Sequence, residues 1–574
     1  MDKKTIALVV ILALIVIFYF PIMQRLGFMK PPAEQPPAEV PTDTVALSQQ
    51  PPPTSPAVED TSQIIAPQRL EEAAILAEPM LDTNYVVDTI IVNTNKYSVI
   101  LTSYGGGPVS MLLNDYTYRK DGPIQMLPEA VSATPEATFA GGTFSTSSIH
   151  YGASILPGSY DATREPLDVI YTYRRPEGGE VIKSYRFYPD RYAFDLVFEV
   201  RETVAFGFER KYNMMWNTPL GVTEPDLQTD YQAMEAVAMM AGSREKLDDF
   251  EDGVLKQDLT GATTWAGVRA KYFAAVIIPK NRDGDAAVAR GTKNNVMTAD
   301  GKVEQRKITA GLEMQFANAP AIADSFTVFV GPLDYTLMSK YDVGLEDMLD
   351  IGTTPFVGWI IKPFAIAIIW LLPRLYSVVP NYGLVIILFA LLVKIVTLPL
   401  SMKSFKSMQA MKTLQPKIEA LKEKHKKNPQ ALNQEMMKLY KAHGVNPISG
   451  CLPILPQMPL FFALFSVFRS TILLRDAPFV WFISDLSRGA SGFADPYIVL
   501  VIIMIVAQFV SQKFTMASTQ QNKAFMYIMP LFMGFIFYKF AAGLVLYWTC
   551  FSVFSLLDYL VFRRDKNPQI QTAK

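Results

Sequence analysis

Residues 382–400 read YGLVIILFALLVKIVTLPL. The run is apolar over nearly its whole length and about long enough to cross a bilayer, which takes roughly 20 residues of helix. Lys394 is the one charge inside it. A lysine near mid-membrane costs roughly 2.5–3.5 kcal/mol on insertion scales, so it requires a partner, a wet cavity or a route to the surface. Snorkelling is the plain reading: Lys394 lies about 10 Å of helix rise from Ser401, and its aliphatic stem recovers part of that. A working charge inside a polar groove is the competing one.

The segment after the span is basic. Residues 401–446 carry ten lysines against three glutamates. Met411, Leu414, Ile418 and Leu421 recur at 3-4-3 spacing, as do Leu432, Met436, Leu439 and His443, with Lys426-Lys427-Asn428-Pro429 between the two runs. That pattern predicts two helices folding back as an antiparallel pair. Lys403, Lys406, Lys412, Lys417, Lys422, Lys424, Lys426 and Lys427 belong to it. The hairpin is either a solvated element that fixes topology or a contact surface for ribosomal RNA, anionic lipid or a targeting factor.

Outward from this centre, composition divides the chain. Of 574 residues 50% are hydrophobic, and the formal net charge is −1. Mean hydropathy of +0.17 is too high for a purely soluble protein and too low for a helix bundle alone. A membrane part joined to a sizeable soluble part is expected. The two cysteines, Cys451 and Cys550, fall in apolar segments, so the soluble part has no disulfide framework. No His/Cys cluster offers a zinc site, and no cofactor is expected.

Residues 1–23 begin with Lys3 and Lys4 and run apolar from Ile6 to Phe20, with no small-residue cleavage site after them. They read as an uncleaved anchor, amino end in the cytoplasm, rather than a cleaved signal peptide. Residues 24–79 are proline-rich and read as a tether. Residues 80–350 read as an all-β sandwich. Tyr192, Phe194, Leu196, Phe198 and Val200 alternate with their neighbours at the period of a half-buried strand. A helical patch is expected near Gln232–Met240. Residues 355–376 contain Trp359, Lys362, Trp370 and Arg374 around a short apolar core, which suggests an amphipathic helix lying in the interface.

The expected spans are Tyr382–Leu400, Leu452–Phe468, Tyr497–Gln512, Ala524–Phe540 and Gly543–Phe562, six with the anchor. This count puts the β domain outside, and the lysine hairpin and the tail 563–574 inside. A seventh span at 355–376 would throw the hairpin outside, against the positive-inside rule. Polar groups recur on these spans: Thr397 shares a helical face with Lys394, the last span carries Thr549, Ser552, Ser555 and Asp558, and Gln457 and Gln508 lie on two others. Together they are enough to line a wet groove. Catalysis finds no support: no Ser/His/Asp set, HExxH or phosphate loop is visible.

Asn446-Pro447-Ile448-Ser449-Gly450-Cys451-Leu452-Pro453, followed by Gln457-Met458-Pro459-Leu460-Phe461-Phe462-Ala463-Leu464, resembles the core motif of the YidC/Oxa/Alb membrane protein insertases. Leu474-Arg475-Asp476-Ala477-Pro478-Phe479, Asp495-Pro496-Tyr497 and Gly543-Leu544-Val545-Leu546-Tyr547-Trp548 add to the resemblance, which covers most of 380–562. The anchor and external β domain resemble the Gram-negative form. The resemblance implies a non-enzymatic insertase and chaperone of the inner membrane. Its five-helix α-helical core would hold a groove open to cytoplasm and lipid, with Tyr547 and Trp548 among the groove residues. It implies nascent membrane proteins, the ribosome, the Sec translocon, and the signal recognition particle with its receptor as partners, alongside anionic lipid and without DNA. The family's groove charge is usually arginine; Lys394 takes its place here, a point charge without the planar fork. Asp558 is expected to neutralise Lys394 partly when the groove is empty. The rival readings are a transporter or channel, which would want repeated spans or intramembrane acids, and a tethered sugar-binding β-sandwich, for which His150 is the domain's only histidine.

Overall fold

The computed structural model describes residues 88–562, apart from 119–121, 129–131, 140–143, 177, 207–209, 299–300, 317–319, 352–356, 427, 446–453, 481 and 516–519. The expected anchor, tether and tail, the Asn446–Pro453 motif, Lys427 and the side chain of Lys412 lie outside the described residues.

The first half is β. One sheet has five strands in the order Gly122–Gln125, Gly107–Tyr118, Tyr97–Thr102, Thr89–Asn93 and Gly158–Asp161. The larger sheet is built around the neighbours Val254–Arg269, Phe273–Pro279, Ala321–Pro332, Ala193–Arg201 and Glu180–Phe187. Its register follows from alternation: Leu196 lies opposite Phe326 and Phe194 opposite Val328, all buried. A one-residue slip would turn that whole set outward. Each such side chain removed from water stabilises the domain by about 1.5–3 kcal/mol. Gly105 and Gly106 adopt φ of 82° and 57°, the left-handed turn that lets the chain enter Gly107–Tyr118.

The patch expected to be helical at Gln232–Met240 is corrected. Helix α1 (Leu227–Ala233) covers only the first two residues of that patch, and Glu235–Met240 is a strand paired with Val254–Arg269. Five consecutive residues, Ala236 to Met240, are buried. A strand covered on both faces loses its alternation and reads like any apolar run.

The second half is helical: α2 (Gly358–Val378), α3 (Tyr382–Lys424), α4 (Pro429–Ala442), α5 (Ile454–Ser470), α6 (Ile498–Thr515), α7 (Gln520–Phe537) and α8 (Ala542–Phe562). Asn381 caps α3, accepting from Leu384 N. The helix does not end with the expected span at Leu400. α3 runs 43 residues through Pro399 and Pro416. No glycine interrupts 384–443, and Met, Lys, Gln, Leu and Glu, all good helix formers, fill its second half. The first arm of the hairpin is thus the continuation of the span, and α4 is the second arm.

α2 and the start of α3 are long and apolar enough to cross a membrane, and α6, α7 and α8 carry shorter apolar stretches. α2 has 21 residues, with Lys362 and Pro363 before its apolar core and Pro373 and Arg374 after it. The outward faces are apolar: Leu384, Leu388, Leu391, Ile395 and Val396 on α3, and Ile502 and Val506 on α6. Such a face is stable against lipid and costly in water.

Candidate functional site

Helix α8 packs along both α3 and α6. The stripe Tyr547, Phe551, Ser555, Asp558 recurs at spacing 4-4-3, one face of the helix. Lys394 of α3 meets that stripe and is only 6% exposed. Its Nζ donates to Ser555 Oγ at 2.9 Å, and Ser555 in turn donates to Phe551 O at 2.8 Å. The ammonium lies 4.8 Å from the centre of the Phe551 ring, a cation–π contact worth more where water is excluded. Asp558 Oδ2 lies 2.9 Å from Nζ, at ion-pair distance but outside hydrogen-bond geometry. The contact is therefore mainly Coulombic.

A polar and aromatic path leads from the lysine toward α5. Phe551 neighbours Tyr547, their ring centres 6.0 Å apart, and Gln457 Nε2 donates to Tyr547 OH at 3.2 Å. The structure thus brings Lys394, Gln457, Tyr547, Ser555 and Asp558 of the expected groove residues into one connected set. Thr397 donates to the carbonyls of Val393 and Lys394, and Thr549 to that of Val545, within their own helices. Ser552 is buried on α8. Gln508 Oε1 and Trp548 Nε1 are buried with no hydrogen-bond partner among the described residues, and Trp548 packs edge-on against Phe461. Among the described residues no group of His, Cys, Asp and Glu is arranged to hold a metal. On the hairpin, Lys403, Lys406, Lys417, Lys424 and Lys426 are exposed and Lys422 half-buried. Lys417 Nζ lies 3.0 Å from His443 Nε2, which joins the two arms.

At the far end of the bundle the segment between α5 and α6 closes over the helices. Gly543 N donates to Leu486 O and Ala542 N to Arg488 O, both at 2.8 Å, and Ala490 N donates to Tyr538 O. Gly383 leaves no room for a side chain, since a Cβ would stand 2.0 Å from Phe479. The same segment is bound to the β domain, a connection that sequence reasoning missed. Arg475 Nε donates to Glu224 Oε1 at 2.7 Å, and Nη2 donates to the carbonyls of Thr117 and Thr223. The two side chains are 5% and 7% exposed. Burial pushes the Glu224 carboxyl up to about 7 against the pull of Arg475. Burial opposes the Arg475 charge, yet Glu224 beside it keeps the guanidinium above its ordinary value.

Fold and site together define a membrane-embedded protein that keeps a paired charge inside an apolar exterior and carries a large β domain. Known families match both halves: a 60Kd inner membrane protein family over residues 374–569 and a YidC periplasmic domain over 89–367. A membrane protein insertase YidC of Chlorobaculum tepidum is 31% identical, with 97% of this chain and 93% of the relative covered. The one of Syntrophus aciditrophicus is 30% identical over 97% and 98%. A solved active YidC insertase with its first transmembrane domain resolved is 20% identical, at a TM-score of 0.34 over 82% of this chain and 91% of that one. The chain belongs to the YidC family of membrane protein insertases. It is accordingly an inner membrane protein with a periplasmic β domain, and an insertase rather than an enzyme.

Proposed function

We propose that Lys394 and the polar stripe of α8 form the groove through which this insertase moves the polar flank of a nascent membrane segment. The hydrophobic part of the segment slides along the lipid-facing side while its short flank enters the groove. Water there lowers the cost of passing polar backbone through a medium that offers it no partners. Lys394 supplies a positive field for acidic residues of the flank. The observation that carries this reading is a buried, paired lysine inside a helix whose other faces are apolar.

In this reading the anchor 1–23, the first part of α3, and α5 to α8 span the membrane, six crossings with both termini cytoplasmic. α2 lies in the outer interface: Trp359 and Trp370 are exposed, as interfacial anchors are, and Lys362 pairs with Asp347 of the β domain's last segment at 2.8 Å. The hairpin of α3 and α4 then faces the cytoplasm, where its exposed lysines meet the ribosome, anionic lipid, or the signal recognition particle and its receptor. The protein acts alone or beside the Sec translocon and also assists folding of the inserted segment. Depletion of the protein tests the reading: insertion of a small single-span substrate with a short external tail should fall, and undiminished insertion would sink it.

A further inference from the structure

We propose that Asp558 is an internal stand-in for a substrate carboxylate. It occupies Lys394 while the groove is empty and yields it to an acidic residue of an incoming flank, which makes Asp558 a specificity-determining residue. The inference rests on the groove reading above and adds how the groove is regulated.

The partners of Lys394 differ in what they are able to do. Ser555 accepts from Nζ while its own proton goes to the Phe551 carbonyl, so it is tied into the helix in any state. The Phe551 ring is held by Tyr547. These two neutral contacts keep the ammonium in place. Asp558 is held more loosely: its contact lacks hydrogen-bond geometry. Its side chain is also 25% exposed against 8% for that of the lysine. The paired Oδ2 itself is buried, so the exposed part of Asp558 is the rest of its side chain, and the residue has a route to water that the lysine lacks.

Charge count decides which flanks can open the pair. Pulling Asp558 away and leaving Lys394 bare separates opposite charges in a poorly screened interior, which is unfavourable. Replacing Asp558 by another carboxylate conserves the number of paired charges. An acidic flank exchanges; a neutral one has nothing to offer, and a basic one is drawn to Asp558 without releasing Lys394. Discrimination of this kind is a difference between two affinities for one site. It requires no planar fork, which suits a lysine.

The test uses the full wild-type chain in membrane vesicles, with a single-span nascent segment arrested in the act of insertion. Two flanks are compared, identical except for one Asp-to-Asn exchange. A carbodiimide joins touching amine and carboxylate groups, and the Lys394–Asp558 linked peptide is quantified by mass spectrometry. The Asn flank should leave the linked peptide at its empty-groove level. The Asp flank should lower it by about three-fold or more, with a Lys394–flank link in its place. In a parallel preparation, the full chain with a photo-crosslinker in place of Gln457 reports whether each flank has entered. Equal linked-peptide yield with both flanks, while position 457 captures both, overturns the role of Asp558 alone. Absence of the link in the empty protein overturns it as well. Capture of neither flank at 457 overturns the groove itself. In a second measurement Asp558→Asn should raise the ratio of retained Asp-flanked to Asn-flanked segment by about three-fold, and an unchanged ratio counts against the proposal.

Discussion

Among the described residues two lysines are buried, one in each half of the molecule, and they answer the same physical problem in opposite ways. Lys183 of the β domain is 0% exposed. Its Nζ donates to Gly105 O at 2.8 Å and Pro135 O at 3.2 Å, beside the ring of Tyr151. Its hydrogen-bond acceptors are backbone, fixed by the left-handed glycine turn and by the strand that begins at Glu136. No incoming group can take their place without unfolding the turn. Burial drives the Lys183 amine down to about 7. Lys394 is nearly as buried, at 6% exposed, but leans on Asp558, whose side chain is 25% exposed. Burial of a charge records a cost; whether the partner can be exchanged separates a structural lysine from a working one.

Arg475 is where that comparison can first be broken. Its partner Glu224 is a side-chain carboxylate, as for Lys394, yet both ends are sealed between the β domain and the segment joining α5 to α6. Arg475→Ala removes the cation from a buried carboxyl that burial has already pushed up to about 7, and about 3–5 kcal/mol is the usual cost at a pH where that carboxyl stays charged. Hydrogen exchange on the full chain should show faster opening near residues 223–224, with the distant α6–α8 packing unchanged. If opening is unaltered, sealing does not make an ion pair structural and the distinction fails.

Lys394→Leu is the next largest expected effect. Insertion of an acid-flanked single-span substrate should fall on the order of a hundred-fold, equivalent to about 2.7 kcal/mol. Adding Asp558→Asn removes the stranded carboxylate and should restore accumulation of the protein without restoring insertion. Lys183→Met serves as the reference, and its insertion activity should stay within about two-fold of the parent. A loss in Lys183→Met comparable to that in Lys394→Leu would erase the contrast.

Lys183 also carries a signature that a working lysine need not share. Its folded-state pKa of about 7 lies below the ordinary 10.5. Between those values the unfolded chain binds the extra proton, so stability rises with pH, by up to about 1.4 kcal/mol per pH unit. The benefit is complete above the ordinary value and is lost as pH falls toward 7. Hydrogen exchange of the strand Glu180–Phe187 in the full chain, followed from pH 7 to 10 and corrected for intrinsic rates, should show that slope. Lys183→Met should flatten it.

How much of this was legible in the sequence depends on how far apart the partners lie. The span around Lys394 declares itself, because an apolar run with one charge breaks its own rule locally. The strand from Tyr192 to Val200 is legible for a similar reason: one buried face imposes period two. Glu235–Met240 is not, because burial on both faces erases the period. Lys183 looks like an ordinary polar residue of a strand, and its acceptors are 78 and 48 residues away. Arg475 and Glu224 are 251 residues apart, and neither neighbourhood mentions the other. The continuity of α3 from the span into the hairpin is not legible either, because the apolar run stops at Leu400 while the helix-forming residues after it extend the same helix. Asp558 was within reach because a last span with an acid near its end needs a cation, and the chain offers one at mid-span.

A third lysine gives the comparison its lower limit. Lys362 of α2 pairs with Asp347 at 2.8 Å, but the two side chains are 43% and 28% exposed. Water and ions screen such a pair, and holding two flexible side chains together takes back part of the gain. Lys362→Met should therefore cost less than about 1 kcal/mol in the stability of the α2 contact with the β domain. The loss should shrink further when salt is raised, because the Debye length falls from about 10 Å at 0.1 M to about 3 Å at 1 M. Thermal unfolding of the purified full chain at the two salt levels measures both points. A salt-independent loss of several kcal/mol would mean that Lys362 is held as Arg475 is, and that the contact of α2 with Asp347 is a sealed joint rather than a screened surface pair.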